Sequence, residues 1–146
     1  MHGRASSDGL VDALAQSAFA TMAVLSRIGS EHDLSLTQFR VLAILRDRRL
    51  RMTELAAYLG LEKSTMTGLV DRAQKRGLVE RAPSASDRRA VEVYLSTAGL
   101  ELADRVTVQV ASALAPMTER LGPAEQRRLQ ALLEQTLDAP ERVAPG

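Results

Sequence analysis

The hydrophobic pattern of this chain changes its period at Gly77, and that change limits the fold more than any other feature. Before Gly77, apolar residues recur at steps of three and four, which is typical of helices with one apolar face. After it, the pattern alternates in two short runs, 79–81 and 91–95, which indicates strands. The polar, turn-rich segment 83–89 separates the runs. The sequence therefore predicts a mostly α fold that carries one small β-hairpin.

Capping signals place the helix boundaries. Gly77 follows Lys75 and Arg76; glycine takes the left-handed conformation that ends a helix without steric cost, and bases suit the negative helix end. Ser35 with Gln38 three residues later is a capping box that starts a helix. These signals and the apolar spacing predict helices over about 8–30, from 35 to the arginine-rich segment 46–51, and over 52–59, 63–76, 97–121 and 124–137.

The helix predicted over 97–121 contains conflicting signals. Residues 106–110 alternate as in a strand, but the spacing of three and four on both sides favours a helix. Pro116 removes one helical hydrogen bond and can kink the helix. A helix over 98–121 would be roughly 35 Å long and would leave apolar surface exposed in a monomer. We therefore predict that the terminal helices form a dimer, with the candidate contacts Val11, Leu14, Val110, Leu114, Leu121, Leu129 and Leu133.

The helix over 63–76 has two different faces when its residues are placed at 100° per step. Met66, Leu69, Val70 and Ala73 share one side, which is the predicted core face. The opposite side starts with small hydroxyl residues and ends with bases. That order fits a helix whose N-terminal part enters the major groove of DNA while longer side chains reach phosphates, although a solvated amphipathic surface explains it as well. The candidate DNA-binding residues here are Lys63, Ser64, Thr65, Thr67, Gly68, Arg72 and Lys75.

Positive charge is concentrated around the predicted hairpin. The formal net charge of the chain is +1, but residues 63–90 contain seven Lys or Arg against three Asp or Glu. Such a local field suits the phosphate backbone, and loop arginines, here Arg88 and Arg89, suit the narrow minor groove. The structural alternative is an internal brace, in which Asp87 or Asp71 holds an arginine and keeps the hairpin rigid. Both interpretations can hold, one for each arginine.

Composition excludes several classes of site. The chain contains no Cys, which rules out disulfides, thiolate nucleophiles, cysteine redox switches and sulfur-ligated zinc. By inspection no apolar run approaches the ~18 to 20 residues of a membrane span, and Asp8, Asp12 and Arg27 interrupt the region of a signal peptide. We therefore expect a cytoplasmic protein with no membrane partner.

An enzyme or metal site is the first alternative function. Only His2 and His32 are available, and no glycine-rich phosphate loop or nucleophile motif is present. Residues 31–33, Glu-His-Asp, look like a ligand cluster, but consecutive helical residues point in different directions and cannot converge on one metal. We therefore predict a polar helix end at 31–33 and a protein that is not an enzyme and has no metal and no cofactor.

Several short motifs occur in a fixed order along the chain. They are Leu34-Ser35, Gln38-Phe39, Glu54-Leu55-Ala56, the segment from Ser64 to Arg72, the segment from Lys75 to Val79, Asp87-Arg88-Arg89, and the segment from Leu95 to Gly99. Taken together they resemble the multiple antibiotic resistance regulator (MarR) family of bacterial transcription factors. The resemblance covers about residues 8–137, and it is specific because the motifs occur jointly.

The resemblance implies a homodimer with a winged helix-turn-helix in each subunit, acting in the bacterial nucleoid. It implies binding to a pseudo-palindromic operator in double-stranded DNA, often as a repressor, and release by a small, frequently aromatic or phenolic ligand whose pocket the sequence does not identify. The chain then divides into 1–34 for dimerisation, 35–96 for DNA binding and 97–146 for dimerisation. Carried over by position, Ser64, Thr65 and Thr67 would lie in the major groove, Arg72 near phosphate, and Arg88 or Arg89 in the wing.

Two positions depart from the family pattern. Gly68 stands where relatives usually have a larger, often basic residue, so that base contact is absent or the backbone comes closer; Gly68 also costs the helix ~1 kcal/mol relative to Ala. Ala73 replaces a usual leucine, which predicts a thinner core. Gly68 favours a second alternative function, a winged-helix dimer that binds ligands or proteins without DNA, whereas the basic hairpin argues against it.

Overall fold

The chain folds into helices around a small antiparallel sheet. The structure is a computed structural model that describes the backbone of residues 2–143 and the side chains of residues 8–137. The elements are α1 (His2–Glu31), α2 (Leu36–Leu45), β1 (Leu50–Arg51), α3 (Met52–Leu59), α4 (Lys63–Lys75), β2 (Val79–Pro83), β3 (Val91–Leu95), α5 (Thr97–Thr118) and α6 (Pro123–Val143). The predicted mostly α fold with a hairpin is confirmed.

The predicted helix ends are formed by the expected capping contacts. The Ser35 hydroxyl accepts from the backbone N–H of Gln38 at 3.2 Å, and the Gln38 side chain accepts from the Ser35 backbone N–H at 2.9 Å. Gly60 and Gly77 have φ angles of +66° and +76°, the left-handed conformation that ends α3 and follows α4. The tight turn after Gly60 sets α3 and α4 as a helix-turn-helix pair.

The sheet has three strands, not the two that the sequence predicts. Its order is β1-β3-β2, and Leu50 pairs with Val93 while Arg51 pairs with Glu92. The segment 46–51 was expected only to end α2, because a two-residue strand is too short to show an alternating pattern. The third strand matters for stability, since an isolated two-stranded hairpin is marginal in water.

The hydrophobic core lies between the helix-turn-helix pair, the sheet, α2 and the first half of α5. Its largest fully buried side chains are Leu45, Leu55, Met66, Val70, Val79 and Val93. Leu69 and Ala73 are partly buried against this core. The predicted core face of α4 is therefore the face that packs inward, and the opposite face of α4 is left for solvent or a partner.

Helix α5 is continuous where the sequence gives conflicting signals. Residues 106–110 are helical, and the helix runs through Pro116 to Thr118, so it ends about three residues before the predicted boundary. The Ser96 hydroxyl caps it by accepting from the Gly99 backbone N–H at 3.0 Å. Helix α5 connects the sheet to α6 and packs against α1, α2 and β3.

Gly99 is expected to be a position where alanine is strongly destabilising. A Cβ atom there would lie 2.0 Å from the carbonyl oxygen of Leu78, and this backbone atom cannot move without breaking its hydrogen bond from the Ser96 N–H. We expect Gly99→Ala to lower the free energy of unfolding by about 3 kcal/mol, measured by urea denaturation. Gly68→Ala is the control: its Cβ meets only the Arg72 side chain, at 3.4 Å, and the change should stabilise the helix by up to about 1 kcal/mol. Equal effects of the two substitutions would contradict this packing.

Candidate nucleic-acid interface

Helix α4 turns its hydroxyl-bearing N-terminal half outward. Ser64 and Thr65 are exposed, and Thr67 and Gly68 are half-buried. Met66 and Val70, on the other side, are almost fully buried. Thr67 donates its hydroxyl hydrogen to the Lys63 carbonyl at 2.8 Å, which leaves its oxygen able to accept from a partner. The backbone N–H groups at the start of α4 add donors and a positive dipole end.

Arg72 lies beside the gap left by Gly68. A Cβ atom on Gly68 would meet only one atom within 4 Å, the Arg72 Nη1, at 3.4 Å. The Arg72 guanidinium, one turn later, therefore occupies the space beside Gly68. Arg72 and Lys75 are both exposed on the second half of the helix, where longer side chains can reach phosphates.

The wing consists of β2, β3 and the loop 84–90 between them. Asp87 orders this loop through the backbone: its carboxylate accepts from the Arg89 N–H at 3.0 Å, and its carbonyl accepts from the Ala90 N–H at 3.0 Å. Arg88 and Arg89 are exposed, and among residues 8–137 neither guanidinium forms an ion pair. Asp87 therefore shapes the loop and leaves both predicted arginine side chains available.

An internal brace does exist, but Arg81 forms it and not Arg88 or Arg89. The Arg81 guanidinium pairs with the Asp71 carboxylate and so joins β2 to α4. The Arg81 Nε is buried and has no hydrogen-bond partner within the described side chains. This contact fixes the wing against α4. It also neutralises the Asp71 carboxylate on the outward face of α4, which is otherwise basic.

A basic cleft opens between α3, α4 and the wing. Its volume is about 260 Å³, and its polar lining consists of Arg51, Thr53, Lys63, Thr67, Arg81 and Arg89. No acidic side chain lines it, and only Arg81 of its four cations is held in an ion pair. Of the predicted DNA-binding residues, Lys63, Thr67 and Arg89 meet here. The others lie outside this cleft: Ser64, Thr65, Gly68, Arg72, Lys75 and Arg88. The cleft has the charge and the donors to hold a backbone phosphate.

Arg51, Thr53 and Arg81 are the polar residues of the cleft that the sequence did not predict as DNA-binding. Arg51 reaches the wing because β1 pairs with β3, and its guanidinium donates to the Ser86 hydroxyl at 3.0 Å. Helical periodicity carries no signal for this contact, since the two residues are 35 positions apart in the chain. The sequence shows a cluster of arginines in 46–51, but it does not indicate which of them lines the basic cleft.

The terminal helices expose a large apolar surface. Val11 is 61% exposed and Leu14 50% exposed on α1, and Leu129 and Leu133 on α6 are 44% and 38% exposed. The other large exposed side chains on α1, α5 and α6 are Leu10, Phe19, Met22, Leu100, Val108, Met117, Leu132 and Leu137. Of the remaining predicted dimer contacts, Val110 packs partly on the core, and Leu114 and Leu121 are half-buried. Apolar surface of this extent requires a partner.

The apolar composition of helix α1 contradicts one expectation from the sequence. By length and composition alone, residues 8–31 are apolar enough to cross a membrane, so the expectation that no segment approaches a span is wrong on that measure. The cause is that the charged residues lie towards the ends of this stretch and 13–26 contain none. A helix that buries its face against a second protein chain has the same composition, so this is weak evidence for a membrane.

The histidine in the described region has a structural contact. The His32 Nε2 lies 2.7 Å from the Gln109 Oε1 and links the end of α1 to α5. Within residues 8–137, no three His, Asp or Glu side chains are grouped to hold a metal ion. Helix α1 ends at Glu31, in agreement with the polar helix end expected at 31–33. The side chain of His2 lies outside the described residues.

Comparisons with known proteins agree on one family. Residues 32–90 match the sequence model of the MarR family. The multiple antibiotic resistance protein MarR of Escherichia coli is 30% identical over 116 residues, which cover 78% of this chain and 81% of that protein. Alignments to curated relatives differ in extent: one spans 41% of the relative's length and another spans 87%.

Two solved structures share the fold. A mutant of E. coli MarR complexed with operator DNA has a TM-score of 0.69 and 27% identity, over 88% of this chain and 94% of that one. NadR in complex with 4-hydroxyphenylacetate has a TM-score of 0.76 and 25% identity, over 86% of this chain and 90% of that one. One of these relatives is thus seen with DNA and the other with a small aromatic acid.

Proposed function

Because this chain belongs to the MarR family of transcriptional regulators, we propose that it is a sequence-specific DNA-binding repressor. In this proposal it binds a pseudo-palindromic operator as a homodimer and is released by a small-molecule effector. The observation that carries the proposal is the continuous surface formed by the hydroxyl face of α4, the basic cleft and the unpaired wing arginines. The DNA complex of E. coli MarR supports it.

The residues of this surface have distinct proposed roles. Ser64, Thr65 and Thr67 meet base edges in the major groove, where small hydroxyls let the helix backbone approach closely. The Gly68 backbone lies nearest the bases. Arg88, at the tip of the wing, enters the adjacent minor groove.

Positioning on the duplex comes from phosphate contacts. Lys63, Arg51 and Arg89 hold one phosphate in the basic cleft, and Arg72 and Lys75 hold others along α4. The Arg81 brace keeps the wing at a fixed angle to α4, so the groove contacts and phosphate contacts are made together.

The apolar surface of α1, α5 and α6 forms the proposed dimer interface. Residues 1–34 and 97–146 supply it, and residues 35–96 form the DNA-binding unit. A twofold dimer presents two recognition helices to half-sites about one helical turn apart, roughly 34 Å, as a palindromic operator requires. The same interface covers the apolar face of α1, so the protein is cytoplasmic in this proposal.

The family consists of transcriptional regulators, not enzymes, and we extend this to the chain itself. The proposed mechanism has no catalytic step and needs no cofactor. The effector is a small molecule of the general kind that NadR binds, an aromatic compound. Its binding would shift the dimer away from the arrangement that fits the operator.

The salt dependence of DNA binding tests the function. Labelled DNA from upstream of the gene should be bound tightly. For roughly six neutralised phosphates per dimer, a doubling of salt should weaken binding about fortyfold, because condensed counterions are released. Fluorescence anisotropy at 100 and 200 mM salt, with a scrambled duplex of the same length as control, measures this. Millimolar, salt-independent binding would instead favour the alternative, a winged-helix dimer that does not bind DNA.

A further inference from the structure

Helix α1 ends in a left-handed turn that leaves two backbone carbonyl groups for another partner. The Leu34 N–H donates to the Gly29 carbonyl at 2.8 Å. The Asp33 N–H donates to the Ser30 carbonyl at 3.2 Å, and Asp33 has a φ angle of +56°. These two bonds form a Schellman motif, which satisfies two of the last carbonyl groups of a helix. The motif does not use the carbonyl groups of His32 and Asp33.

The guanidinium of Arg76 binds both of these carbonyl groups from another helix. Arg76 is the C-cap of α4, and it donates to the carbonyls of His32 and Asp33 at 2.8 Å each. The last turn of α1 contains no base and ends at Glu31. A cation is favourable at the negative end of a helix. Arg76 therefore supplies to α1 the positive charge that the last turn of α1 lacks.

Side-chain packing near this contact is thin. Helix α4 packs mainly against α3 and β2. A narrow crevice of about 10 Å³ lies between the second half of α4 and α2, and its lining includes Leu34, Val41, Ala73 and Arg76. Within residues 8–137, the two bonds of Arg76 are the only hydrogen bonds between α4 with its C-cap and α1 with the turn that follows it. Arg76 is therefore the polar tie between these two helices.

The two tied helices have different proposed roles. Helix α1 lies in the proposed dimer interface, and α4 lies in the proposed DNA surface. In a twofold dimer, the separation of the two α4 helices depends on how each is held to the interface helices. We propose that Arg76 is a positioning residue that fixes this separation and so makes the protein selective for the spacing of operator half-sites. The inference rests on the proposed function, because it needs a dimer that binds DNA.

Operator duplexes with altered half-site spacing test the inference. One inserted base pair moves a half-site by about 3.4 Å and turns it by roughly 34°. Losing the base contacts of one half-site should weaken wild-type binding about a hundredfold. In Arg76→Ala, α4 can tilt to follow the displaced half-site, so the insertion should cost only about tenfold, measured by fluorescence anisotropy. An insertion that weakens binding equally in Arg76→Ala and in the wild type would overturn the inference.

The salt dependence of binding separates this role from a direct phosphate contact by Arg76. If Arg76 bound phosphate, Arg76→Ala would weaken binding equally at both spacings, and the salt slope would fall by about two per dimer. The positioning role instead predicts an unchanged salt slope and a loss of affinity that depends on spacing. A reduced slope together with an unchanged spacing penalty contradicts the proposal.

Two further variants test the assigned hydrogen bonds. Arg76→Lys keeps a cation at the end of α1 and should recover part of the spacing penalty, but not all of it, because an ammonium group lacks the planar fork of a guanidinium. Arg40→Ala is the control, since this exposed arginine of α2 forms no hydrogen bond or ion pair within the described side chains. It should keep the wild-type penalty. A lysine variant that behaves like Arg76→Ala would reject the assigned contact, and so would a control with the same tolerance.

A distance measurement without DNA gives a second readout. The chain contains no Cys, so Gln74→Cys, at an exposed position of α4, introduces one spin label in each subunit. The distribution of label-to-label distances, from pulsed electron paramagnetic resonance, should be about twice as broad when Arg76→Ala is added. Circular dichroism checks that the helix content is unchanged. Equal widths would overturn the inference, and so would a monomeric protein, because it has no second α4 to position.

The failure of this inference can be told from failure of the proposed function. Tight, salt-dependent operator binding with the same spacing penalty in Arg76→Ala leaves the regulator intact and rejects Arg76 as its positioning residue. A dimer that binds no DNA, but whose distance distribution broadens in Arg76→Ala, rejects the proposed function and keeps the tie between α4 and α1.

Discussion

Replacing Arg88 and Arg89 together by alanine is expected to weaken operator binding by more than tenfold, and on the order of a hundredfold, while the protein remains dimeric. Both guanidinium groups are exposed on the wing and neither is held in an ion pair in the described chain, so no protein contact is lost. A hydrogen bond to a charged group contributes about 1.5–3 kcal/mol, and tenfold in affinity is about 1.4 kcal/mol. Fluorescence anisotropy with the operator duplex measures the change.

The control for this double substitution removes the same charge elsewhere. Arg40→Ala with Arg105→Ala takes two exposed arginines from α2 and α5, outside the proposed DNA surface. Its effect on affinity should stay within about threefold, because exposed charges at a distance are screened at physiological salt. If the two variants lose operator affinity equally, the net charge of the protein determines binding, and the position of the arginines on the wing does not. Sedimentation of the wing variant as a monomer would also count against the assigned role.

Replacing Leu129 and Leu133 on α6 by glutamate is expected to separate the dimer, raising its dissociation constant at least a hundredfold. In a twofold interface each substitution occurs twice, so four buried leucines are exchanged for charges. Operator affinity should fall as the dimer dissociates, because a monomer reaches only one half-site. Sedimentation velocity over a range of protein concentrations measures the dissociation, and circular dichroism checks that the helices persist.

Leu36→Glu provides a matched control for the dimer variant. Leu36 on α2 is 41% exposed, close to the 44% of Leu129, but it lies outside the apolar surface of the terminal helices. This control should remain dimeric and bind the operator normally. If the variant with both α6 substitutions remains a dimer, the proposed interface is wrong, whether or not the variant binds DNA.

Local features of the fold could be predicted from the sequence because their causes are local. Ser35 and Gln38 form the capping box from side chains three residues apart, and Gly77 adopts a conformation that its missing Cβ allows. The same is true of the two faces of α4: rotation of 100° per residue puts Met66 and Val70 in the core and leaves Ser64 outside. The roles of the outward residues in DNA binding stay predictions.

Contacts between distant segments could not be predicted in the same way. Either Asp71 or Asp87 could have held an arginine, and the structure pairs Asp71 with Arg81, a base of the predicted strand 79–81. Arg51 joins the basic cleft through a two-residue strand that has no sequence pattern. These contacts depend on the angle between the sheet and α4, which the packing of the whole core sets.

The sequence by itself determined the order of helices, the turn glycines, the outward face of α4 and the basic wing, because propensity, capping and periodicity act within a few residues. Only the tertiary structure decided which charges are neutralised and which remain free, and it alone brought Arg51 into the basic cleft. Such features arise where surfaces from separate elements meet, and their geometry depends on how side chains fill the shared interior.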